Sequence, residues 1–443
     1  MRYRTYLGYA ITLILTMVLL ELASLASFKL LSGKSFAYKT LELERLERMS
    51  TIAIKLENQE TSNDSEMFHP YVGYVGRPEY SYSARRKNIN SETEIITNNN
   101  YGVISIKDYA YPYKKKKNDF VIAVIGGSVA AGFTKKGGEE YLQKYLNGYG
   151  FDKNIVVINL AKGGFKQPQQ LFHLQYALLS GFEFDAVINI DGFNDIVFAV
   201  HNIDTSINPV FPSGYHMRML SKMRTGQKFD PDIVNLLSDY YSYYENELSL
   251  LSLVQKAPFK YSISLNLISD QLTENNLVRI RKLESKMLLG GQRSMTNEFR
   301  GPIYNWGNDK YEVSANIWKQ SSEHLYAICK ANNLLYMHVL QPNQYVSGSK
   351  QLTVDEKKVA YIPKHEWSVA AREGYGYLIS KGRELSGKGF PFYDLTMVFN
   401  DVEESVYVDT CCHFGRNGHE IMAQQIARYL MRELDERTVR IKE

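Results

Sequence analysis

The chain has 443 residues, of which 44% are hydrophobic and 23% are charged, and its formal net charge is +4. This composition is typical of a folded globular protein with one large domain carrying insertions, or with two domains. The small net charge gives no indication of nucleic-acid binding. Three cysteines are too few for a disulfide framework, and they lack the spacing of metal ligands. The cysteines therefore favour neither a disulfide-rich protein nor a metal-binding one.

The N-terminus carries a predicted membrane segment. Two arginines precede an apolar run over about residues 6–28, which is interrupted by Glu21. The run is long enough to span a bilayer, and we expect an uncleaved anchor over residues 1–34; Ala26 would also permit cleavage of a signal peptide. A short basic head before a large C-terminal domain is usual in exported proteins, so we expect that domain to be extracytoplasmic, in the periplasm or at the cell surface.

Two segments separate the anchor from the first long strand. Residues 35–67 begin with leucines and a methionine at helical spacing, which predicts a helical stalk leaving the membrane. Residues 68–118 are rich in Tyr, Asn, Gly and Pro, which indicates short strands and turns. Because this second segment leads directly into the strand that starts at Phe120, we assign residues 68–443 to one domain.

A regular alternation of strands and helices begins at Phe120. Apolar strands are predicted over 120–125, 155–160 and 186–190, with helices over 139–148 and 168–180 between them. Such alternation predicts the α/β class, with a parallel sheet covered by helices on both faces.

The alternation is interrupted by an insertion and then resumes. Residues 200–312 are predicted to form a mostly helical insertion. A strand over 334–340 follows, and Thr353 with Glu356 forms the capping box of a further helix. The glycine-rich residues 373–392 are predicted to be a loop, and the chain closes with a terminal helix.

Four separated residues fall at or near the edge where the predicted strands end. Ser128 follows the first strand, Gly164 the second and Asn194 the third, while His413 precedes the terminal helix. The carboxyl ends of parallel strands meet at one edge of a sheet, where ligands bind. A serine nucleophile needs a base, for which histidine is usual near neutral pH. A tetrahedral oxyanion needs donors such as a glycine N–H and an asparagine amide.

These blocks, in this order, resemble the SGNH/GDSL family of esterases and acetylhydrolases. GGS at 126–128 corresponds to the nucleophile block, and NLAKGGFKQPQQ at 159–170 to the glycine block. DGFND at 191–195 corresponds to the family's G-x-N-D block, and DTCCHFGRNG at 409–418 to its acid–histidine block. The resemblance leaves out the stalk and the helical insertion. It implies a flavodoxin-like, doubly wound parallel sheet of the SGNH hydrolase fold.

The resemblance also implies a role for each matching residue. Ser128 would be the nucleophile, and its backbone N–H the first donor of the oxyanion hole. The second donor would be the N–H of Gly164, or that of Gly163, since one sequence does not fix which glycine matches. The third would be the amide of Asn194, and His413 would act first as general base and then as general acid.

Two departures from the family pattern concern the nucleophile and the acid. Gly127 stands where the family often has an aspartate before the serine. The family's acid usually lies three residues before the histidine, but Thr410 is there and Asp409 is one residue further away. We expect Asp409 to orient His413 as the third member of a triad. The alternative is a Ser–His dyad whose histidine is oriented by a backbone carbonyl.

Other polar side chains are assigned secondary roles. Gln341 and Asn343 end a strand at the active edge and are predicted to contact substrate. His173 and His324 fall within predicted helices and are predicted to be structural. His419 lies six residues past His413, on the predicted terminal helix, and is expected to be outside hydrogen-bond reach of Ser128. No cofactor and no metal is predicted.

The predicted activity is hydrolysis of a small acyl ester, expected to be acetyl, on an envelope or exported polysaccharide, as membrane-tethered relatives imply. The expected partners are thus the acylated carbohydrate and the membrane. An O-acyltransferase would share the same acyl-enzyme, and product analysis with a glycan acceptor distinguishes the two. A non-catalytic glycan-binding or assembly protein is a third alternative, for which replacement of Ser128 would leave glycan binding unchanged.

Overall fold

The computed structural model describes residues 2–32, 36–57, 66–85, 93–103, 107, 109–214, 216–217, 231–290, 302 and 304–442. The predicted boundary between anchor and stalk, at 34/35, lies outside these residues. The described helices are α1 (Arg2–Ser32), α2 (Tyr38–Glu57), α3 (Ser128–Lys135), α4 (Gly138–Gly148), α5 (Gln169–Leu179), α6 (Phe193–Asp204), α7 (Pro231–Val254), α8 (Ile263–Gly290), α9 (Lys310–Ala331), α10 (Val354–Val359), α11 (Glu366–Gly387) and α12 (Arg416–Lys442). A 3₁₀ turn, Phe259–Tyr261, lies between α7 and α8.

The described strands fall into three sheets. They are β1 (Glu66–His69), β2 (Gly73–Gly76), β3 (Ser81–Arg85), β4 (Thr93–Thr97), β5 (Asp119–Gly126), β6 (Asn154–Asn159), β7 (Ala186–Asp191), β8 (Leu335–Leu340) and β9 (Phe392–Asp394). Strands β1 and β2 pair antiparallel, β3 and β4 form a second two-stranded sheet, and β5 to β9 form the main sheet.

The main sheet is entirely parallel, with its strands in the order β6-β5-β7-β8-β9. This confirms the predicted α/β class and the parallel sheet. Counted from β5, the order is 2-1-3-4-5, which is the strand order of flavodoxin-like sheets. Because the winding reverses at β5, ligands are expected outside the carboxyl ends of β5 and β7.

The strands of this sheet are buried on both faces, as their continuous apolar sequences predict. Alternate residues of β5 enter two separate cores: Phe120, Ile122 and Val124 one of them, and Val121, Ala123 and Ile125 the other. Helices α3, α4, α6, α11 and α12 contribute to the first core, and α5 with part of α9 to the second. Each large apolar side chain buried in this way contributes about 1.5–3 kcal/mol. The two cores therefore hold the carboxyl edge of the sheet in a fixed position.

The prediction of a loop over 373–392 is wrong. Helix α11 occupies most of this segment, and the short strand β9, which was not predicted, ends it. A Cβ added to Gly374 would lie 2.2 Å from Cγ2 of Ile196 on α6. This glycine lets two helices approach closely, and its low helix propensity made the segment resemble a loop.

The boundaries of the insertion also differ from the prediction. The predicted range of 200–312 overlaps both flanking helices, because α6 continues to Asp204 and α9 begins at Lys310. Between them, α7 and α8 pack together as a helical hairpin. The predicted capping box of Thr353 and Glu356 is confirmed at the start of α10, where each side chain accepts from the other residue's backbone N–H.

The chain divides into two compact units. The first contains Met1–Asn63, Ser83–Glu94 and Thr225–Gln292, and the second contains Asp64–Tyr82, Ile95–Arg224 and Arg293–Glu443. The first unit thus joins the N-terminal helices with the helical hairpin. Helix α2 packs against α7, and Arg48 donates to both carboxylate oxygens of the buried Glu247, at 2.6 and 3.0 Å. The predicted stalk is therefore part of a helical unit.

Helix α1 includes a segment, Ile11–Leu30, that is long and apolar enough to cross a membrane. Nearly all of its side chains from Ile11 to Leu20 are exposed. Membrane anchors and signal sequences share this length and composition.

Replacement of Gly374 by alanine should destabilise the second unit. The new methyl group would enter a buried contact with Ile196, and overpacking of this kind costs about 1–3 kcal/mol of unfolding free energy. Gly376→Ala is the matched control on the same helix, because no atom lies within 4 Å of its added Cβ. It should be neutral or stabilise by up to about 1 kcal/mol. Thermal unfolding in detergent measures both variants, and equal Tm values would contradict the packing role of Gly374.

Candidate active site

Ser128 lies at the first turn of α3, directly after β5. Gly126 has a φ of +142°, and a Cβ there would lie 2.0 Å from the Ile190 carbonyl oxygen, so only glycine fits this turn. The first helical hydrogen bond runs from Ala131 N–H to the Gly127 carbonyl. The N–H groups before it, including that of Ser128, point out of the helix end, where they can bind an oxyanion. Ser128 itself is half-buried at the sheet edge.

The Asn194 amide lies directly against the turn that carries Ser128. Its Nδ2 donates to the Phe165 carbonyl at 2.8 Å, which joins the loops after β6 and β7. A Cβ on Gly127 would lie 2.3 Å from this Nδ2 and 3.2 Å from the Phe165 oxygen. An aspartate before Ser128 would therefore collide with Asn194. This contact leaves room only for glycine at position 127.

Both candidate glycines of the second block lie in one turn near Ser128. Phe165 N–H donates to the Lys162 carbonyl across Gly163 and Gly164, and Gly164 has a φ of +79°. A Cβ on Gly163 would lie 4.0 Å from that of Ser128. Gly164 faces the His216 ring, which would be 2.2 Å from an added Cβ. Gly163 is thus in contact distance of the serine, and Gly164 closes the turn.

Asp195 holds the loop that carries Asn194. Its Oδ1 accepts from Gln167 N–H at 2.6 Å and its Oδ2 from Gly192 N–H at 2.9 Å. Burial, followed by the negative charge of Asp191, raises the pKa of Asp195 to about 8. The two hydrogen bonds connect the loops after β6 and β7, so Asp195 positions Asn194.

Asp191, at the end of β7, is the centre of a buried polar cluster. Its carboxylate accepts from Trp318 Nε1 at 2.7 Å, Asn189 Nδ2 at 2.8 Å and Gln167 Nε2 at 3.0 Å, and His338 Nε2 lies at 2.8 Å. Burial raises the pKa of Asp191, but His338 and the hydrogen bonds outweigh it and hold the pKa below its ordinary value. His338 was not predicted as part of the site, although a histidine within an apolar strand signals a buried polar contact.

Lys166, within the glycine block, is fully buried. Its Nζ donates to the Pro209 carbonyl at 2.5 Å and to the Gln167 carbonyl at 3.3 Å. Burial lowers the pKa of Lys166 to about 7, although the charge of Asp195 acts in the opposite direction. This role could not be predicted from the sequence, because lysine is almost always exposed.

His413 and Asp409 form a hydrogen-bonded pair. His413 Nδ1 lies 2.5 Å from Asp409 Oδ2, and Asp409 Oδ1 accepts from the N–H groups of Cys411, Cys412 and His413 at 3.0–3.3 Å. Burial raises the pKa of Asp409, but the hydrogen bonds from His413 and Cys411 outweigh it and lower the pKa. The spacing of four residues thus lets the carboxylate bond both the imidazole and the backbone of its own loop.

The loop after β8 fixes the position of this pair. Gln344 Nε2 donates to the Asp409 carbonyl at 3.0 Å, Tyr345 Oη to that of Thr410 at 2.8 Å, and Asn343 Nδ2 to that of Cys411 at 3.4 Å. The side chain of the fully buried Asn343 also accepts from Tyr345 N–H. Substrate contact by Gln341 and Asn343 stays a prediction, and the contacts of Asn343 are those of a positioning residue. Gln344 and Tyr345 were missed, although they directly follow the Gln341-Pro-Asn block.

Glu356 supports the segment that leads to Asp409. One of its oxygens accepts from the N–H groups of Val406 and Tyr407, at 2.8 and 2.9 Å, while the other completes the capping box with Thr353. Burial raises the pKa of Glu356, but these backbone N–H groups outweigh it and lower the pKa. The capping box could be predicted from the sequence, but the contacts of Glu356 with the N–H groups of Val406 and Tyr407 could not.

The loop of His413 adjoins the helix of Ser128. Lys136, just after α3, donates from Nζ to the Phe414 carbonyl at 2.7 Å. A Cβ on Gly132 of α3 would lie 3.2 Å from Nε2 of the buried His419 on α12. No hydrogen bond joins the described side chains of Ser128 and His413, and such catalytic bonds often tighten only when substrate binds.

The environment of His413 favours its protonated form. Negative charge on the Cys412 sulfur, followed by the hydrogen bond and charge of Asp409, raises the pKa of His413 to about 9, against the effect of burial. Burial raises the pKa of Cys412, but the Cys411 thiol and the charge of His413 outweigh it and lower the pKa. His413 is thus held as one member of a charged cluster.

The same residues include a set of metal-ligand atoms that their spacing did not suggest. One ligand atom each of Cys411, Cys412 and His413 lies within 4.8 Å of the other two. Thiolate and imidazole ligands suit Zn²⁺ or Cu⁺. An ion bound there would occupy a nitrogen of His413, and so would compete with any role of this histidine as a base.

Two of the other histidines differ in their surroundings. His173 is buried, with Nδ1 2.8 Å from the Leu160 carbonyl and Nε2 3.1 Å from Tyr101 Oη, as expected for a structural residue. His324 is exposed on α9.

No protein-family model and no curated protein matches this chain.

The pKa of His413 should be measurably raised. NMR titration of histidine-labelled protein should give a value of about 9 for His413. Cys412→Ala and Asp409→Asn should each lower it, because the charge on the Cys412 sulfur and the hydrogen bond and charge of Asp409 all raise the pKa of His413. Cys329→Ala, at a buried cysteine outside the cluster, serves as control. A wild-type value near the unperturbed 6.5, or no change in both variants, would contradict this electrostatic account.

Proposed function

We propose that this chain is a serine esterase of the SGNH/GDSL type. The observation that carries the proposal is the 2.5 Å contact between His413 and Asp409, on a loop tied to the helix that begins with Ser128. A carboxylate, an imidazole and a serine at a helix N-terminus are the parts that acyl transfer needs. The strand order, which puts Ser128 and Asn194 at the switch point of the sheet, also supports it.

In the proposed reaction, Ser128 Oγ attacks the ester carbonyl and its proton passes to His413. The oxyanion then collapses, the bond to the alcohol breaks, and His413 returns the proton to the leaving oxygen. Water, deprotonated by His413, then attacks the acyl-serine; the bond to Ser128 Oγ breaks, the acid leaves, and His413 returns the proton to Ser128. Because His413 must be neutral to act as a base, its pKa of about 9 means that the rate rises with pH toward that value.

The proposed oxyanion hole uses N–H groups that make no hydrogen bond within the part of the chain that the structure describes. Asn194 uses one N–H of its amide for the Phe165 carbonyl, which leaves the second N–H for the oxyanion. The Ser128 N–H and a glycine N–H, from Gly164 or Gly163, complete the set. Asp195 supplies rigidity, because its bonds to the backbone hold the asparagine before substrate arrives.

The proposed place of action is the outer side of a membrane. Helix α1 would serve as the anchor, and the catalytic unit would be extracytoplasmic, in the periplasm or at the cell surface. The expected substrate is a small acyl ester, acetyl in the first instance, on an envelope or exported polysaccharide. The choice of a polysaccharide as the substrate rests on the resemblance to membrane-tethered esterases.

Hydrolysis of p-nitrophenyl acetate tests the proposal. The full chain in detergent should hydrolyse it, and Ser128→Ala or His413→Ala should each lower kcat by at least about 1000-fold, as for members of a triad. Asn194→Ala should lower kcat by about 100- to 1000-fold, the effect of removing one oxyanion donor.

The control is His324→Ala, at the exposed histidine of α9, which should hydrolyse the ester at the wild-type rate. Circular dichroism establishes that each variant is folded. A folded Ser128→Ala protein with wild-type activity would overturn the proposal.

A further inference from the structure

A carboxylate fixes one face of α1 to the tip of the helical hairpin that α7 and α8 form. This hairpin tip comprises residues 255–272. Glu21 accepts from Ile263 N–H at 2.5 Å and from the hydroxyls of Ser262 and Ser264 at 2.6 and 2.7 Å. A carboxylate at a helix N-terminus satisfies N–H groups that have no partner within the helix. The start of α8 is therefore bound to the apolar helix at the level of Glu21, within the segment Ile11–Leu30.

The exposure of α1 changes at the same level. From Ile11 to Leu20 its side chains are exposed all round, whereas Ser24 and Phe28 are buried. Phe28 packs on Phe36, Phe36 on Tyr38, and Tyr38 on Tyr261 of the hairpin tip, with ring centroids 4.7–5.8 Å apart. Beyond Glu21, therefore, one side of α1 is covered, while Leu22, Leu25 and Leu30 stay exposed.

At the start of α8, three polar side chains are buried and three apolar side chains are exposed, with Gln271 exposed beside them. Ser264, Asn266 and Ser269 are buried, with exposures of 8%, 1% and 1%. Leu265, Ile268 and Leu272 are exposed by 38%, 53% and 45%, and their spacing places them on one face. Such a pattern is opposite to that of a helix in water and is the one expected for a helix that faces lipid.

Three cationic residues and one acidic residue line a cavity beside this tip. The cavity has a volume of about 300 Å³, and its charged lining residues are Lys39, Arg45, Lys260 and Glu42, with Tyr38 and Tyr261 beside them. Arg45 is only 5% exposed and pairs with Asp270 at 3.3 Å, but its buried Nε has no partner among the described residues. Lysines and tyrosines at one level are typical of the interface between lipid and water, where basic residues meet phosphate groups.

We infer that the hairpin tip, residues 255–272, is a second membrane contact beside α1. Leu265, Ile268 and Leu272 enter the upper acyl region, while Lys39 and Lys260 face the phosphate groups of anionic lipids at the cavity. The inference rests on the proposed anchoring by α1. It assigns to the insertion the task of holding the first unit against the bilayer, which a single spanning helix cannot do because it rotates freely.

Quenching of tryptophan fluorescence by brominated lipids tests this inference on the full chain in vesicles. Ile268→Trp should gain fluorescence that phosphatidylcholine brominated near the headgroup quenches. Ser238→Trp is the matched control, since this exposed residue of α7 lies about 24 Å along the helix from the tip, and should not be quenched. Leu15→Trp reports on α1 and should be quenched most by lipid brominated deep in the acyl chain.

The outcomes separate the inference from the anchor. Quenching of both Leu15→Trp and Ile268→Trp, but not of Ser238→Trp, is the expected result. Quenching of Leu15→Trp alone would overturn the inference and leave the anchor intact, whereas no quenching in any variant would overturn both.

The contribution of the cations has its own readout. In mixed vesicles, brominated phosphatidylglycerol should quench Ile268→Trp more than brominated phosphatidylcholine does, with a local preference of about fivefold for each lysine that reaches the headgroups. Lys39→Gln with Lys260→Gln should remove that preference, and Lys330→Gln, at an exposed lysine of α9, should not. Equal quenching by the two lipids in the parent variant would overturn the assignment of the cavity to anionic headgroups.

Discussion

The hydrogen bond from the Asn194 amide to the Phe165 carbonyl is the contact on which the candidate site depends. It joins the loops after β6 and β7, and it presses the amide against Gly127 after β5. Three neighbouring parallel strands thus end in loops that fix one another. The glycine before Ser128 follows from this contact, because any side chain there would displace the asparagine.

Buried acidic residues hold this arrangement rigid. Asp191 ends β7 and Asp195 lies in the first turn of α6. Together they accept hydrogen bonds from Gln167 after β6, from Gly192 after β7 and from Trp318 of α9. Glu356 does the same for the segment that leads to Asp409. Buried carboxylates with several N–H partners are favourable only when every partner is present. The site is therefore preorganised by groups that do not take part in the proposed chemistry.

Much of the fold could be predicted, because continuous apolar strands alternating with helices leave few arrangements other than a parallel sheet. The order of the strands could not, since sequence does not say where the winding reverses. Segment 373–392 was predicted to be a loop because it is rich in glycine, which is common in turns. In the structure, Gly374 instead allows two helices to pack closely. Helix α2 was predicted as a stalk, since its partner, α7, is about two hundred residues away in the chain.

The candidate site, too, could be predicted only in part from the sequence. Residues that carry the proposed chemistry lie in short blocks at strand ends and could be found from sequence. Residues that position them, such as Tyr345 and His338, come from other elements and act through contacts that only the tertiary structure creates. The adjacent Cys411 and Cys412 illustrate this difference, since their effect on His413 depends on geometry within one loop.

Reaction with a fluorophosphonate probe tests the central claim, that Ser128 is an activated nucleophile, most directly. After incubation of the full chain with the probe and proteolysis, mass spectrometry should locate one phosphonate adduct, on the peptide that contains Ser128. Labelling should disappear in His413→Ala, which keeps the serine but removes its base. A folded wild-type chain that forms no adduct, or forms it on another residue, would contradict the account.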